Sequence, residues 1–162
     1  MGNSHHNIME LLGQMEKEFE NQNYEYFARL VHHKNMVIRI RAVCILATIG
    51  SQNAVKELVE VLERDDDALV RHEAAFSLGQ LGFTSAIKSL SQAVQTDQSS
   101  FVRHEAAIAL GVIGSENSRS VLVQALHDIS KEVRDSAVIA LSNIDYISTT
   151  NKNNKFNKMT GG

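Results

Sequence analysis

The chain has 162 residues, enough for one domain of ordinary size to bury a core without disulfides or a structural metal. Average usage would put about eight prolines in such a chain; it has none, it lacks tryptophan, and aromatics make up 6% of its residues. A net charge of −3, with the basic residues scattered apart from Lys152, Lys155 and Lys158, argues against a phosphate-neutralising patch and so against nucleic-acid binding.

The start, Met1-Gly2-Asn3-Ser4-His5-His6, is polar, with none of the pattern of a secretory signal. No apolar run approaches the roughly 20 residues that a membrane span needs. Cys44 stands alone and cannot form an intrachain disulfide; its neighbours Val43, Ile45 and Leu46 suggest a packed thiol. The expectation is a soluble protein of a reducing compartment, the cytoplasm.

In chain order, Asn7–Glu20 is the first predicted helix, with Ile8, Leu11, Leu12, Met15 and Phe19 on one side. It reads as an N-terminal cap, and His5 and His6 before it read as a flexible start. A pair of helices follows at Tyr24–His32 and Met36–Ile49. Amphipathic stretches at Ala54–Leu62, Ala86–Val94 and Ser118–Leu126 then alternate with three segments that repeat the one beginning at Val37.

Those segments align as Val37-Ile38-Arg39-Ile40-Arg41-Ala42, Leu69-Val70-Arg71-His72-Glu73-Ala74, Phe101-Val102-Arg103-His104-Glu105-Ala106 and Glu132-Val133-Arg134-Asp135-Ser136-Ala137. Closing glycines at 50, 82 and 114 give a period of 32 residues, and Ala106 to Ala137 shortens it to 31. In the second segment Val70, Ala74, Leu78 and Leu81 make one buried helical face, and Gly82 sits where a helix end favours positive φ. Asp65-Asp66-Asp67 and Ser99-Ser100 are read as caps and first-turn charge rather than as a metal site. Helical hairpins of this size must stack to bury their apolar faces. The fold class is therefore all-α: an α-solenoid of four helical-hairpin repeats plus the capping helix. It forms one domain over 7–147, with repeats at about 22–50, 51–82, 83–114 and 115–147, and a disordered tail over 148–162.

Only the inner repeats carry His-Glu: His72-Glu73 and His104-Glu105, against Ile40-Arg41 and Asp135-Ser136 outside. At 100° per residue, His72, Glu73, Phe76, Gly79 and Gln80 fall opposite the core stripe, and His104, Glu105, Ile108, Gly111 and Val112 lie beside them on the next helix. Packed helices stand about 8–10 Å apart, so two imidazoles can converge on one ion at bond lengths of about 2.1 Å. The bland alternative is a surface pair copied with the repeat. An exposed face needs no histidine twice, and glutamate alone would solubilise it, so metal binding is preferred. Gly79 and Gly111 leave two explanations open. One is close helix packing, as Ala47 and Ser142 at the equivalent outer positions suggest; the other is room for a ligand. His32, His33 and His127, near helix ends, are read as structural.

The paired segments Leu69-Val70-Arg71-His72-Glu73-Ala74-Ala75 and Phe101-Val102-Arg103-His104-Glu105-Ala106-Ala107, with Leu78-Gly79-Gln80-Leu81 and Ala109-Leu110-Gly111, closely resemble deoxyhypusine hydroxylase. That family is a HEAT-repeat, non-haem di-iron monooxygenase acting on the aminobutyl side chain of deoxyhypusine on a translation factor. It has two halves of four repeats, with His-Glu pairs in the middle two repeats of each. The resemblance covers about Tyr24–Tyr146, matches one half and implies a HEAT-like solenoid. It also implies that His72, Glu73, His104 and Glu105 are iron ligands and that O₂ is a co-substrate. Adjacent helical residues do not face one another, so a homodimer is the expected repair. By analogy with that family, one iron would take His72, His104 and Glu105 from one chain and Glu73 from the other, giving two ions per dimer. The expected substrate is a protein carrying a modified lysine, or a polyamine-like chain. The alternatives are a non-catalytic HEAT scaffold that binds a protein and an iron-binding protein without oxygenase activity.

Overall fold

A computed structural model describes residues 2–50 and 52–150, with side chains from Ile8 onward. The described residues form helices and short turns, without strands. The helices are α1 (Gly2–Glu20), α2 (Tyr24–Leu30), α3 (Met36–Ile49), α4 (Gln52–Arg64), α5 (Ala68–Leu81), α6 (Ile87–Thr96), α7 (Ser100–Ile113), α8 (Arg119–Ala125) and α9 (Lys131–Thr149). Tight 3-10 turns at Thr84–Ala86 and Glu116–Ser118 lead into α6 and α8.

The hairpins α2–α3, α4–α5, α6–α7 and α8–α9 stack into two layers. One layer runs α4, α6, α8, and the other runs α3, α5, α7, α9, with α1 against α3. The two layers differ in sequence for a physical reason. Helix α4 touches the interior on one side only, so it buries Ala54, Val55, Leu58, Val61 and Leu62 along a single stripe. Helix α5 is hemmed in by α3, α4 and α7, and buries Val70, Ala74, Ala75, Ser77, Leu78 and Gly79 around more of its circumference. One continuous apolar cluster runs from Met15 to Ile144. Gly82 and Gly114 close α5 and α7 with φ of +71° and +67°, where a side chain would be strained.

A ladder of arginines sets the register between hairpins. Arg39 forks onto both carboxylate oxygens of Asp65 at 2.7 and 3.0 Å, Arg71 onto Asp97 at 2.8 and 2.9 Å, and Arg103 onto Asp128 at 2.8 and 2.9 Å. Each arginine's Nη1 also donates to the carbonyl six residues upstream: His33, Asp65, Asp97 and, for Arg134, Asp128. Each of the three aspartates therefore holds the arginine of the preceding repeat on its carboxylate and its own repeat's arginine on its carbonyl. Bidentate pairing of this kind fixes direction as well as distance. Since Arg71 and Arg103 directly precede His72 and His104, the ladder sets the rotation of both histidine-bearing helices.

Several expectations change. Helix α1 begins at Gly2, so His5 and His6 fall within a helix rather than a loose start, though their side chains lie outside the described residues. Helix α9 continues to Thr149, past the predicted start of the tail, because Ile144 and Ile147 extend its apolar side; residues 151–162 lie outside the described residues. Asp67 caps α5 as expected, accepting from the amide of Leu69. Ser99 makes no side-chain cap; its own amide donates to the Asp97 carboxylate at 2.8 Å. Cys44 is exposed rather than packed, since α3 turns Val43 and Leu46 into the core instead.

Gly79 and Gly111 are buried against the neighbouring helix, not on an open face. A Cβ on Gly79 would stand 2.9 Å from Ala109 Cα, and one on Gly111 would stand 2.6 Å from Ala140 Cα. Close backbone packing is therefore the reason for both glycines.

Candidate metal centre

His72, Glu73, His104 and Glu105 sit in the second turns of α5 and α7, where the layer α3–α5–α7–α9 stacks edge to edge. The stacking joins each histidine to the next repeat, not to its own neighbouring glutamate. His72 Nε2 lies 3.2 Å from Glu105 Oε2, with the two side chains 21% and 11% exposed. The His72 ring stacks on Phe101 with centroids 3.8 Å apart and planes 3° from parallel, which holds the imidazole in one plane.

Glu73 turns the opposite way, toward α3, and its Oε1 accepts a hydrogen bond from Cys44 Sγ at 3.1 Å. Partial desolvation of the sulfur, this hydrogen bond and the carboxylate's charge push the Cys44 thiol up to about 12, so it stays protonated and keeps donating. His104 meets Ser136, with Nδ1 2.6 Å from Ser136 Oγ. The four residues singled out from sequence thus divide into three contacts: His72 with Glu105, Glu73 with Cys44, and His104 with Ser136.

Among the described residues, no three His, Cys, Asp or Glu side chains stand close enough to hold a metal ion together. The His72–Glu105 pair nonetheless has the right separation for two neighbouring ligands. Donor atoms about 2.1 Å from an ion and about 100° apart lie roughly 3.2 Å from each other. An imidazole nitrogen beside a carboxylate oxygen is also the donor mixture that suits non-haem iron. The residues present therefore fit part of an iron shell, and the shell is incomplete within one chain.

Sequence reasoning missed the groups that hold these side chains. Cys44 reads from sequence only as a packed thiol, Ser136 only as a register position without His-Glu, and Asp65 only as cap charge; Asp97 and the Asp128 carboxylate are not assigned a partner. The ladder had a visible signal, an aspartate 26, 26 and 25 residues after Arg39, Arg71 and Arg103. Ser136 also had one: it occupies the register position that holds glutamate in the two inner repeats.

Comparison with known proteins agrees with this architecture. The model of HEAT repeats matches residues 7–78, 25–111 and 55–142 in overlapping registers. The chain belongs to the HEAT-repeat family. No curated protein matches it. Among solved structures, these HEAT repeats are similar to human deoxyhypusine hydroxylase in complex with glycerol. The TM-score is 0.72 and the identity 30%, covering 85% of this chain and 48% of that one. The CpcE–CpcF complex of phycocyanin lyase from Nostoc sp. also matches, with a TM-score of 0.67 and 20% identity over 78% of this chain and 55% of that chain, a likeness of fold alone. The chain thus spans about half the length of these solved relatives. Among the described residues, no helix is long and apolar enough to cross a membrane.

Proposed function

We propose that this HEAT-repeat chain is a deoxyhypusine-hydroxylase-like, non-haem di-iron oxygenase of the cytoplasm, its site completed between two copies in a homodimer. The observation that carries the reading is the His72–Glu105 pair, which spans two repeats at the separation of two ligands on one ion. The 30% identity to deoxyhypusine hydroxylase across 85% of the chain supports iron as that ion. His72, His104 and Glu105 of one copy would hold an iron, and Glu73 of the other would complete it, giving two ions per dimer. Bound there, iron supplies the activation of O₂.

The chain's own residues hold and orient. Phe101 stacks on His72 and keeps its ring in plane, while the Arg71 and Arg103 forks fix the helices that carry the ligands. Carboxylates at Glu73 and Glu105 favour a cationic substrate, a lysine-derived or polyamine-like chain on a protein. A non-catalytic scaffold is the second reading, favoured by Val37, Leu69 and Phe101. These repeat at one register position across three helices and remain 48%, 49% and 45% exposed, as a protein-binding row would.

Iron content separates the two. Untagged wild-type protein should carry iron by elemental analysis, while His72→Ala and Glu105→Gln lose it with unchanged circular dichroism. Equal iron in wild type and both variants would remove the site assignment and leave the scaffold ahead.

A further inference from the structure

The two histidines occupy equivalent positions, yet the structure treats them differently, and the difference traces to one residue of the fourth repeat. His72 faces Glu105 of the next repeat through Nε2, whereas His104 faces Ser136, the equivalent position one repeat on, through Nδ1. Serine is too short to reach the far side of the ring, where the longer glutamate reaches. Ser136 is buried, with 1% exposure. Its hydroxyl donates its one proton to the Glu132 carbonyl at 2.7 Å, which turns an oxygen lone pair toward His104 Nδ1 at 2.6 Å. The Glu132 carbonyl itself lies 3.5 Å from the same nitrogen. Two acceptors facing Nδ1 call for a proton on it, because a bare nitrogen there would set lone pair against lone pair.

We infer that Ser136 is a positioning residue that fixes His104 as the Nδ1–H tautomer, so that Nε2 presents its lone pair as the open donor of the site. His72 lacks this arrangement, because its Nε2 already faces a carboxylate of its own chain. Among the described residues, both side-chain contacts of His104 are made by Nδ1, and none competes for Nε2. The inference deepens the proposed function and rests on it where metal is concerned: His104 is the histidine ready to ligate, and the fourth repeat, which lacks a His-Glu pair, supplies part of the site through Ser136. Hydrogen-bond partners on the far nitrogen of a ligating histidine commonly fix its tautomer and raise its basicity.

The test begins with metal-free protein. Long-range proton–nitrogen NMR correlations, recorded where imidazoles are neutral and assigned with His104→Gln, should show a protonated Nδ1 and a bare Nε2 on His104. Ser136→Ala should shift that ring toward the Nε2–H form preferred by an unconstrained histidine side chain, and Ser136→Thr should restore the wild-type pattern. An Nε2–H ring in wild type, or no change in Ser136→Ala, overturns the inference. Ferrous iron titration then separates it from the functional reading, since Ser136→Ala should weaken iron binding by about 10- to 100-fold. The tautomer shifting as stated in a wild-type protein that takes up no iron would leave Ser136's role intact and refute the metal site. Unchanged iron affinity in Ser136→Ala, despite the tautomer shift, would refute the claim that the hydroxyl prepares His104 for metal.

Discussion

Substituting Gly111 by alanine tests the packing between the histidine-bearing helix and its neighbour. The added Cβ would stand 2.6 Å from Ala140 Cα and 2.7 Å from Ala140 Cβ. Carbon atoms in contact prefer about 3.5–4.0 Å, so α7 and α9 must part by about 1 Å. Overpacking of this kind costs about 1–3 kcal/mol, and alanine returns about 1 kcal/mol of helix propensity over glycine. The contact is with backbone, which cannot swing aside, so the upper part of that range applies and the net loss is about 1–2 kcal/mol. At about 2–4 °C per kcal/mol for a chain of this size, the Tm should fall by several degrees in a calorimetric scan. Ala140→Gly in the same chain should recover only part of the loss, because the Ala140 Cα remains. Gly79→Ala, at 2.9 Å from Ala109, should be milder. A Gly111→Ala variant melting at or above wild type would refute the close-packing account and reopen the view that the glycines leave room for a ligand.

Removing one rung of the ladder should cost far more than removing a surface pair. Arg71→Ala leaves the buried Asp97 carboxylate without its charge partner, held only by the Ser99 amide, a loss of about 3 kcal/mol in urea unfolding. Arg119→Ala, whose partners Glu116 and Asp145 are exposed, should barely move the midpoint, and equal losses in the two variants would contradict the ladder's role. The fork from Arg103 holds the Asp128 carboxyl below its ordinary value of 3.8. A carboxylate lowered on folding stabilises the chain above its unfolded pKa and loses that contribution as pH falls through the folded one. The Tm gap between wild type and Asp128→Asn should therefore be wide near neutral pH and close in acid; a gap independent of pH would refute this. The exposed Cys44 thiol, pushed up to about 12, should alkylate slowly at neutral pH and faster in Glu73→Gln, and a rate indifferent to Glu73 would deny the hydrogen bond.

Periodicity carried most of the fold. The 32-residue repeat marked the helices of the α3–α5–α7–α9 layer, and Gly82 and Gly114 marked two of their ends, because backbone conformation at a helix terminus depends on local residue type. The same periodicity picked out His72, Glu73, His104 and Glu105, but it could not say how far each side chain reaches across to the next repeat. That reach pairs His72 with Glu105 and His104 with Ser136, and it turns Glu73 back toward Cys44. A helical projection treats each helix alone, so it placed Gly79 on an open face that α7 in fact covers. Helix α9 outran its predicted end for a related reason. Composition turns polar near Ser148, while Ile144 and Ile147 still give α9 an inward side.

The central claim is a site that two chains complete, and mass and iron measured together test it most directly. Glu73 faces away from the His72–Glu105 pair of its own chain, and among the described residues no three candidate ligands gather in one chain. An ion bound only by the assembled pair must stabilise that assembly by mass action. Size-exclusion chromatography with light scattering and in-line iron analysis should find a dimer carrying about one iron per chain, since a twofold axis repeats each site. Iron removal and Glu73→Ala should each shift the protein toward monomer. An iron-loaded protein that stays strictly monomeric, or a dimer whose stability is indifferent to iron and to Glu73, would contradict the account.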